Sequence, residues 1–307
     1  MVKKITVFGS FVVDLMARTP HLPVPGETVK GSMFKMGPGG KGFNQGVAAH
    51  KAGAHVTMIT KLGKDTFANV ALDAMKELNM DTSKVFITEK TETGSALILV
   101  DENTSQNEIV VVLGACNTIS DEEVESISDI VKASEYLLTQ LETNTSAIDK
   151  IIDIAYQNGV KVILNTAPIQ PISDDILGKV DLITPNEVEA EILTGICIDN
   201  EENAKKAAEW FFSKGVKNVL ITLGGRGVFI ATDEKQAIIP AYKVDAIDTT
   251  GAGDAFNGGL VAALAEGKDL WQAASFANAL AAIAVQRLGT TPAMPTREEI
   301  DEFIATH

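Results

Sequence analysis

Short apolar runs alternate along the chain with longer segments whose apolar residues recur at helical spacing. The runs include KITVFG, YLLTQL, KVILNT and NVLITLG, which are rich in Val, Ile and Leu. Between them lie segments such as TFANVALDAMKELN and SAIDKIIDIAYQNG, and several of these segments end at a glycine, as many helices do. Buried strands that alternate with helices are typical of a parallel sheet covered on both sides. The pattern predicts an α/β fold with a doubly wound, mostly parallel sheet and helices on both faces.

Two stretches depart from this alternation. Residues 11–36 contain Pro20, Pro23 and Pro25, and residues 93–113 contain two extended segments joined by a polar turn, which predicts a hairpin. Such segments favour a small second β-sheet that packs over one edge of the main sheet as a lid. No linker, repeat or low-complexity tract divides the chain. We therefore expect residues 1–307 to form a single α/β domain that carries this lid insert.

The charge balance excludes some classes of partner. The chain has 41 acidic and 26 basic residues, which gives a formal net charge of −15. Nucleic acids and anionic membranes both require a basic face, so neither is an expected partner. A small anionic ligand stays compatible with this charge, because local backbone dipoles can outweigh the overall field.

The N-terminal segment and the cysteines indicate the compartment. Gly9, Ser10 and Asp14 interrupt the first apolar run, which favours a β-strand over a signal peptide, and no stretch approaches the roughly 18 apolar residues of a membrane-spanning helix. Cys116 and Cys197 lie far apart and form no Cys-x-x-Cys motif. We interpret both as buried thiols in a reducing compartment and expect a cytoplasmic protein.

The stretch DTTGAGDAFNGG, residues 248–259, leads directly into the apolar segment LVAALAEG and is therefore the approach to a helix N-terminus. The backbone N–H groups at such an end lack intrahelical acceptors, and the helix dipole is positive there. Gly251, Ala252 and Gly253 carry too little side chain to keep an anion from this backbone. The pattern predicts an anion site beside the carboxylate of Asp254.

The stretch GPGGKGFNQG, residues 37–46, also matches the G-x-G-x-x-G pattern of dinucleotide-binding proteins. It lies well after the first strand and not directly behind it, which disfavours an NAD site, and the Walker pattern is absent. Gly39 and Gly40 would let a ligand contact the backbone, while Lys41 and Asn44 offer donors beside it. A helix-entry turn with a solvated lysine is the alternative interpretation.

Two acidic residues follow predicted strands. Asp14 lies within an apolar run, where a carboxylate is costly unless its oxygens are hydrogen-bonded by a polyhydroxylated ligand or by turn backbone. Glu142 ends the strand LLTQLE, and ligands of parallel sheets gather at the carboxyl ends of the strands. The alternative for Glu142 is an acid at a helix N-terminus.

Two further motifs have both a ligand-binding and a structural interpretation. Asn186 and Glu189 lie three apart at a helix start, which suits a hydrated Mg²⁺ but also a capping box, and from the residues alone capping is favoured. The segment ITLGGRGV ends a strand with Thr222, Gly224 and Gly225, which suits either a phosphate-wrapping loop or a hairpin turn.

Together these motifs resemble the ribokinase-like (PfkB) carbohydrate kinases along nearly the whole chain. The N-terminal signature is GGKGFNQGVAAHKAGAHVTMITKLG and the C-terminal signature is DTTGAGDAFNGGLV, with QLE, PNEVEAE and TLGGRGV between them in family order. The resemblance implies an ATP-dependent kinase that transfers the γ-phosphate to the primary hydroxyl of a free sugar, with a pentose such as ribose or 2-deoxyribose as the expected substrate. The alternatives are a ketohexose or nucleoside kinase of the same family, or a non-catalytic sugar sensor on the same scaffold.

The resemblance also implies a role for each motif. Asp254 would be the general base, and the backbone N–H groups of Gly251, Ala252, Gly253 and Asp254 would form the anion hole. The residues implied to contact the sugar are Asp14, Gly39, Gly40, Lys41, Asn44, Glu142 and Asp254. Those implied to bind the nucleotide are Asn186, Thr222, Gly224, Gly225, Gly253 and Asn278.

Metal ions and a partner chain are implied in the same way. Asn186 and Glu189 match a motif that holds Mg²⁺ through water. Asp248 and Thr250, together with residues 287–293, would house a monovalent cation, usually K⁺. The family lid often pairs with a second copy, which implies a homodimer.

One departure from the family pattern bears on the substrate. Ribokinase-type members carry Asn two residues before the aspartate that matches Asp14, where this chain has Val12. Valine cannot pair with a sugar hydroxyl, and a buried hydroxyl without a partner costs about 1–3 kcal/mol. That corresponds to about a 5- to 150-fold loss of affinity. We hypothesise that a sugar without this hydroxyl, such as 2-deoxyribose, competes well with ribose.

Overall fold

The secondary structure is given by a computed structural model that describes residues 3–104 and 106–307. The strands are β1 (Lys4–Phe8), β2 (Val12–Thr19), β3 (Met33–Gly39), β4 (His55–Gly63), β5 (Val85–Thr88), β6 (Thr93–Asp101), β7 (Asn107–Gly114), β8 (Tyr136–Gln140), β9 (Lys161–Asn165), β10 (Leu182–Ile183), β11 (Asn218–Thr222), β12 (Val228–Ala231) and β13 (Gln236–Ile239). The helices are α1 (Lys41–Lys51), α2 (Thr66–Glu77), α3 (Asp121–Ser126), α4 (Ser128–Lys132), α5 (Thr145–Gln157), α6 (Asp174–Leu177), α7 (Glu187–Thr194), α8 (Glu201–Ser213), α9 (Ala252–Ala265), α10 (Leu270–Ala284) and α11 (Arg297–Thr306).

Within the described residues the apolar runs assemble into one nine-stranded sheet in the order β13-β12-β11-β10-β9-β8-β1-β4-β5. All neighbours from β11 to β5 are parallel, whereas β12 and β13 are antiparallel to the strands before them. A parallel connection needs a crossover of a dozen or more residues, and only Leu223–Gly227 join β11 to β12. The antiparallel edge therefore follows from this short glycine-rich loop.

Helices cover both faces of the sheet. Leu137 and Leu138 are adjacent on β8, and their side chains enter different hydrophobic clusters because strand side chains alternate between faces. One cluster includes buried residues of α1, α2, α9, α10 and α11, and the other includes buried residues of α3 to α8. The prediction of a doubly wound, mostly parallel sheet is confirmed.

A second sheet of the described residues has the order β3-β2-β6-β7 and forms the lid. Strands β2 and β6 pair in parallel, and the outer pairs are antiparallel. Strand β3 continues to Gly39, past the expected end of the segment at residue 36, and only Gly40 separates it from α1. The lid is thus attached at the point where α1 begins, beside the carboxyl end of β1, because the Phe43 N–H donates to the Ser10 carbonyl (2.9 Å).

The two cysteines differ in their surroundings. Cys116 is fully buried, and its Sγ accepts a hydrogen bond from the Phe11 N–H (3.2 Å). Cys197, which the sequence led us to expect in the core, is exposed. It lies in the loop between α7 and α8, in which only Ile198 is buried.

In the part of the chain that the structure describes, no helix combines the length and the apolar character that crossing a bilayer requires.

Candidate active site

The polar residues of the site lie where the strand order of the main sheet reverses. Strand β1 has β4 on one side and β8 on the other, and the strands after β8 continue away from β4. Ligands of open α/β sheets bind at such a switch point, beyond the carboxyl ends of the strands. Polar side chains follow four neighbouring strands there: Ser10 after β1, Glu142 after β8, Asn165 at the end of β9 and Asn186 after β10.

Asp254 lies in the first turn of α9 and is held from α1. Its side chain is 7% exposed. The Asn44 Nδ2 donates to one carboxylate oxygen (3.0 Å) and the Gln45 Nε2 donates to the other (2.9 Å). The Thr291 hydroxyl donates to the Asn44 Oδ1 (2.9 Å), which leaves the Asn44 amide group directed at Asp254. Both oxygens of the carboxylate are thus fixed in position by α1.

Burial and charge act on Asp254 in opposite directions. Burial raises the pKa of Asp254 above its usual range, while the Lys41 ammonium and the amides of Gln45 and Asn44 oppose this rise. Burial disfavours the Lys41 ammonium as well, but the carboxylates of Asp254, Glu142 and Glu189 outweigh it and keep the pKa of Lys41 above its usual value. Lys41 is therefore a partly buried cation among carboxylates at the start of α1, rather than a fully solvated lysine.

The N-terminus of α9 opens into a cavity of about 170 Å³. It is lined by Lys41, Asn165, Ala167, Thr184, Asn186, Glu189, Thr222, Thr249, Gly251, Ala252, Gly253, Asp254 and Asn257. Gly251 precedes the helix with a φ of 77°, in the left-handed region that favours glycine, and no side chain caps this end. The N–H groups of Gly253 and Asp254 have no helical carbonyl before them, so they are available to an anion in the cavity.

Ala252 differs from its neighbours in this turn. Its N–H donates to the Thr249 carbonyl (3.2 Å). An anion that used the Ala252 N–H would have to displace this bond.

Asp14 lies against the backbone of β3, at the lid side of the site. A Cβ at Gly39 would be only 2.3–2.4 Å from the atoms of the Asp14 carboxylate, so this close approach requires glycine. Burial raises the pKa of Asp14 to about 6, and the nearby carboxylates of Glu142 and Asp254 add to the rise. A side-chain hydrogen bond with Thr290 opposes the rise, and the Asp14 side chain is partly exposed, so a ligand can add further donors.

Glu142 binds the start of α1. Its Oε2 accepts hydrogen bonds from the Lys41 N–H (2.8 Å) and from the Ser10 hydroxyl. Gly40, which precedes α1, has a φ of 91° and no capping side chain. Glu142 is thus an acid at a helix N-terminus, but the helix comes from a distant part of the chain. The same interaction holds Glu142 beside Lys41, which lines the cavity.

Asn186 and Glu189 form the capping box of α7. The Asn186 Oδ1 accepts from the Glu189 N–H (2.9 Å), and the Glu189 Oε2 accepts from the Asn186 N–H (3.0 Å) and from the Thr166 hydroxyl (2.9 Å). Both residues also line the cavity. In the described residues no group of three or more His, Cys, Asp or Glu side chains is arranged to hold a metal ion directly. The donor set fits an ion that keeps its water ligands.

The predicted nucleotide residues divide into two groups. Thr222 lines the cavity and pairs with Asn186, and it is followed by a 3₁₀ turn that contains Gly224 and Gly225. This turn is also the hairpin connection between β11 and β12, so both structural and binding interpretations fit it. Asn278 does not line the cavity: it lies on α10, and its Nδ2 donates to the Pro240 carbonyl (3.3 Å).

Asp248 connects the two loops that the resemblance assigned to a monovalent cation. One of its oxygens accepts from the Thr250 N–H and the other from the Gly289 N–H, both at 2.9 Å. The Asp248 carboxylate therefore holds the residues before α9 beside the loop after α10. Carboxylate and carbonyl oxygens in such loops are suitable ligands for K⁺.

The polar residues of this region that sequence reasoning missed include Ser10, Gln45, Gln140 and Asn165. All four are less than a tenth exposed. Gln140 and Asn165 are the last residues of β8 and β9, and polar residues at the carboxyl ends of otherwise apolar strands were a usable signal. Gln45 lies within the quoted glycine-rich stretch but gave no separate signal.

Comparison with known proteins agrees with this geometry. The family model described as "pfkB family carbohydrate kinase" matches residues 2–297. The chain is 43% identical to the ribokinase of Haemophilus influenzae over 99% of both chains. It is 34% identical to the deoxyribokinase of Salmonella typhi over 98% of both chains. The solved structure of Arabidopsis thaliana ribokinase complexed with ribose and ATP has a TM-score of 0.91, 29% sequence identity and coverage of 99% of both chains. The chain therefore belongs to the pfkB family of carbohydrate kinases.

Proposed function

We propose that the protein transfers the γ-phosphate of ATP to the primary hydroxyl of a free pentose, with Asp254 as the general base. The observation that carries this proposal is the position of Asp254: a buried carboxylate, fixed through both oxygens, in the first turn of a helix whose N-terminus faces a cavity. Relatives named ribokinase and deoxyribokinase, and a neighbour with ribose and ATP bound, support the substrate class.

The raised pKa of Asp254 suits proton abstraction. A base works best when its pKa lies near the working pH, and burial moves the carboxyl of Asp254 in that direction. Asp254 accepts the proton of the attacking hydroxyl, and the oxygen then forms a bond to phosphorus as the bond to ADP breaks. The N–H groups of Gly253 and Asp254 and the Lys41 ammonium stabilise the charge that spreads over the phosphoryl oxygens.

Metal ions complete the site in this proposal. Asn186 and Glu189 would hold a hydrated Mg²⁺ that neutralises the phosphates, and Asp248 and Thr250 would help to house K⁺. The intact capping box supports the first assignment, because it fixes the side chains of Asn186 and Glu189 and both residues line the cavity. Asp14, Gly39, Gly40, Lys41, Asn44 and Glu142 would bind the sugar. Thr222, Gly224, Gly225, Gly253 and Asn278 would bind the nucleotide.

The first experiment measures ADP release with ATP, Mg²⁺ and K⁺ against ribose, 2-deoxyribose, fructose, tagatose and adenosine. We expect turnover with one or both pentoses. Asp254→Asn should still bind the sugar in calorimetry but lose at least about 100-fold in kcat, because the base is removed. Normal turnover by this variant would exclude Asp254 as the base. Sugar binding without turnover by the unaltered protein would favour the sugar sensor.

Val12 supports a proposal about which pentose is used. Val12 lies on β2 two residues before Asp14, so the two side chains share a face, and it is directly paired with Gly39 and Gly94. Its side chain is 2% exposed and offers no hydrogen bond to a hydroxyl. We infer that this position weakens the preference for ribose over 2-deoxyribose.

Substitution at position 12 tests this inference. Val12→Asn should raise kcat/KM for ribose relative to 2-deoxyribose by about 5- to 150-fold, the value of one buried hydrogen bond. Val12→Ala is the matched control, since it alters the volume without adding a donor or acceptor, and it should leave the ratio within about threefold. An unchanged ratio in Val12→Asn would contradict the account.

The exposed face of the lid supports a homodimer. Several large apolar side chains of the lid strands are exposed: Met33, Phe34, Met36, Leu97, Ile109, Val110, Val111 and Val112. Because side chains alternate along a strand, Ile109 to Val112 expose apolar groups on both faces of the lid. Exposed apolar groups in this number are typical of an interaction site, and a second lid offers the same chemistry. Light scattering should give a dimer for the unaltered protein and a monomer for Val110→Glu. A monomeric unaltered protein would contradict the proposal. We also propose a cytoplasmic location, where ATP is supplied.

A further inference from the structure

Gln45 is a fully buried polar residue on α1 with three side-chain hydrogen bonds. Its Nε2 donates to the Asp254 Oδ1 (2.9 Å) and to the Asn165 Oδ1 (3.0 Å). Its Oε1 accepts from the Gln140 Nε2 (2.7 Å). The side chain therefore uses both hydrogens of its amide group, and it connects α1 to Asp254 on α9 and to the ends of β8 and β9.

The direction of these bonds is determined by the backbone. The Asn165 Nδ2 donates to the Thr184 carbonyl (2.9 Å), and a carbonyl can only accept. The Asn165 Oδ1 must therefore face Gln45, and only the Nε2 of Gln45 can donate to it. The second hydrogen of the same Nε2 is then directed at Asp254. The Gln45 amide has one orientation that satisfies all partners.

We propose, on the basis of the proposed function, that Gln45 is a positioning residue for Asp254. It contacts neither substrate in this proposal, since its side chain is fully buried and does not line the cavity. Gln45 fixes the Oδ1 of Asp254 and favours its ionised form, so that the Oδ2 is presented to the attacking hydroxyl. Asn165 and Gln140 act one step further away, by fixing the amide of Gln45.

The charges around Asp254 explain why a neutral donor is useful at this position. The charged groups around Asp254 are Lys41 on α1, Asp14 on β2, Glu142 after β8 and Glu189 on α7. Three of these four are carboxylates, and like charges disfavour the ionised base. A hydrogen bond from a neutral amide stabilises the ionised form without a further positive charge, which would compete with the anion site for the phosphates.

Loss of Gln45 leaves two buried acceptors without a donor. Removal of its amide would unpair the Asp254 Oδ1 and the Asn165 Oδ1, and water has little access because both residues are less than a tenth exposed. The change therefore acts on the protonation and the orientation of Asp254 together. A residue that only filled space would change neither.

The test compares Gln45→Met with the unaltered enzyme through the pH profile of kcat/KM for the preferred pentose. Met keeps the length and lacks the donor. We expect kcat to fall at least about tenfold at neutral pH and the acid limb to move up by about one pH unit, while KM for the sugar changes less than about threefold. The matched control is Gln170→Met, because Gln170 donates to the Leu141 carbonyl beside the same strand ends and has no bond to Asp254. It should retain the original acid limb.

A second variant provides the test if Gln45→Met does not fold. Gln45→Leu also lacks the donor and has no titratable group of its own, so the acid limb should again move up by about one pH unit. An acid limb at its original pH in whichever variant folds would overturn the proposal, even if activity were reduced uniformly. Asp254→Asn separates this failure from that of the proposed function: normal turnover by Asp254→Asn would refute the base, whereas an inactive Asp254→Asn with an unmoved limb in the Gln45 variants would refute only the role of Gln45.

Discussion

The charge of Asp14 is predicted to destabilise the ligand-free protein and to strengthen the binding of the sugar, and Asp14→Asn tests this. The Asp14 carboxylate is close enough to Glu142 and Asp254 to be repelled by their charges, and it packs against the backbone of Gly39. Its charge is costly until a ligand supplies donors. Asn has nearly the same shape but no charge. The substitution should therefore stabilise the ligand-free protein and weaken the binding of the sugar.

The size of the effect follows from the pKa of Asp14. Burial, and secondarily the two neighbouring carboxylates, raise it from 3.8 to about 6. A shift of this size corresponds to about 3 kcal/mol at neutral pH, at about 1.36 kcal/mol per pKa unit. Because the folded pKa of an acid is raised, the cost is fully present above pH 6 and is lost as the pH falls towards the unfolded value. Since Asn retains part of the desolvation cost, we expect a net gain of about 1–2 kcal/mol.

The assay is thermal unfolding at pH 7.5 and pH 4.5, with and without the preferred pentose. Asp14→Asn should raise Tm by about 2–6 °C at pH 7.5 and by clearly less at pH 4.5, where Asp14 of the unaltered protein is largely protonated. The pentose should stabilise the unaltered protein but have little effect on the variant. Asp73→Asn, on the exposed side of α2, is the control and should change Tm little. No gain at pH 7.5, or an equal gain at both pH values, would refute the reasoning.

Two further predictions concern Gly40 and the cysteines. Gly40→Ala should destabilise the protein by about 1 kcal/mol or more, because φ is 91° and the new Cβ would lie 2.8 Å from the Val12 nitrogen. Gly37→Ala is the control, because the space around its Cβ is open. Equal unfolding midpoints of the two variants in urea would contradict the prediction. Cys197 should react with a thiol reagent in the native protein, more slowly than a free thiol because Glu191 raises its pKa, whereas Cys116 should react only after unfolding. Two fast thiols would contradict the burial of Cys116.

The parts of the fold and site that could be predicted are those with local causes. The apolar runs gave the strands, and the small residues before Asp254 gave the helix N-terminus, because dihedral freedom and unpaired N–H groups are properties of adjacent residues. The capping box of Asn186 and Glu189 was also local, and the structure contains it. Its proposed second role in binding a metal ion has no local signature that separates it from capping.

Interactions between distant segments could not be predicted. The alternative interpretation of Glu142 was an acid at a helix N-terminus, but the helix is α1, and the Lys41 N–H that it binds lies 101 residues away in the chain. The bonds of Gln45 to Asp254 and Asn165 span 209 and 120 residues. Cys197 was predicted to be buried, but it lies in an exposed loop between two helices. In each case the outcome depends on which segments the sheet brings together.

The acidity of the site constrains how a nucleotide can bind. Among the described residues that line the cavity, Lys41 carries a positive charge while Glu189 and Asp254 are acids, and the whole chain has a net charge of −15. Side-chain charge alone would therefore repel a triphosphate. Backbone N–H groups at the start of α9 supply a fixed positive potential at close range, which a distant negative surface screened by salt does not cancel. In such an acidic site a carboxylate ionises less easily than in a positively charged one. The neutral donors Asn44 and Gln45 oppose this effect at Asp254, the proposed base. The small residues before Asp254 leave backbone N–H groups open to an anion. The amides of Asn44 and Gln45 favour the ionised form of Asp254, the proposed base.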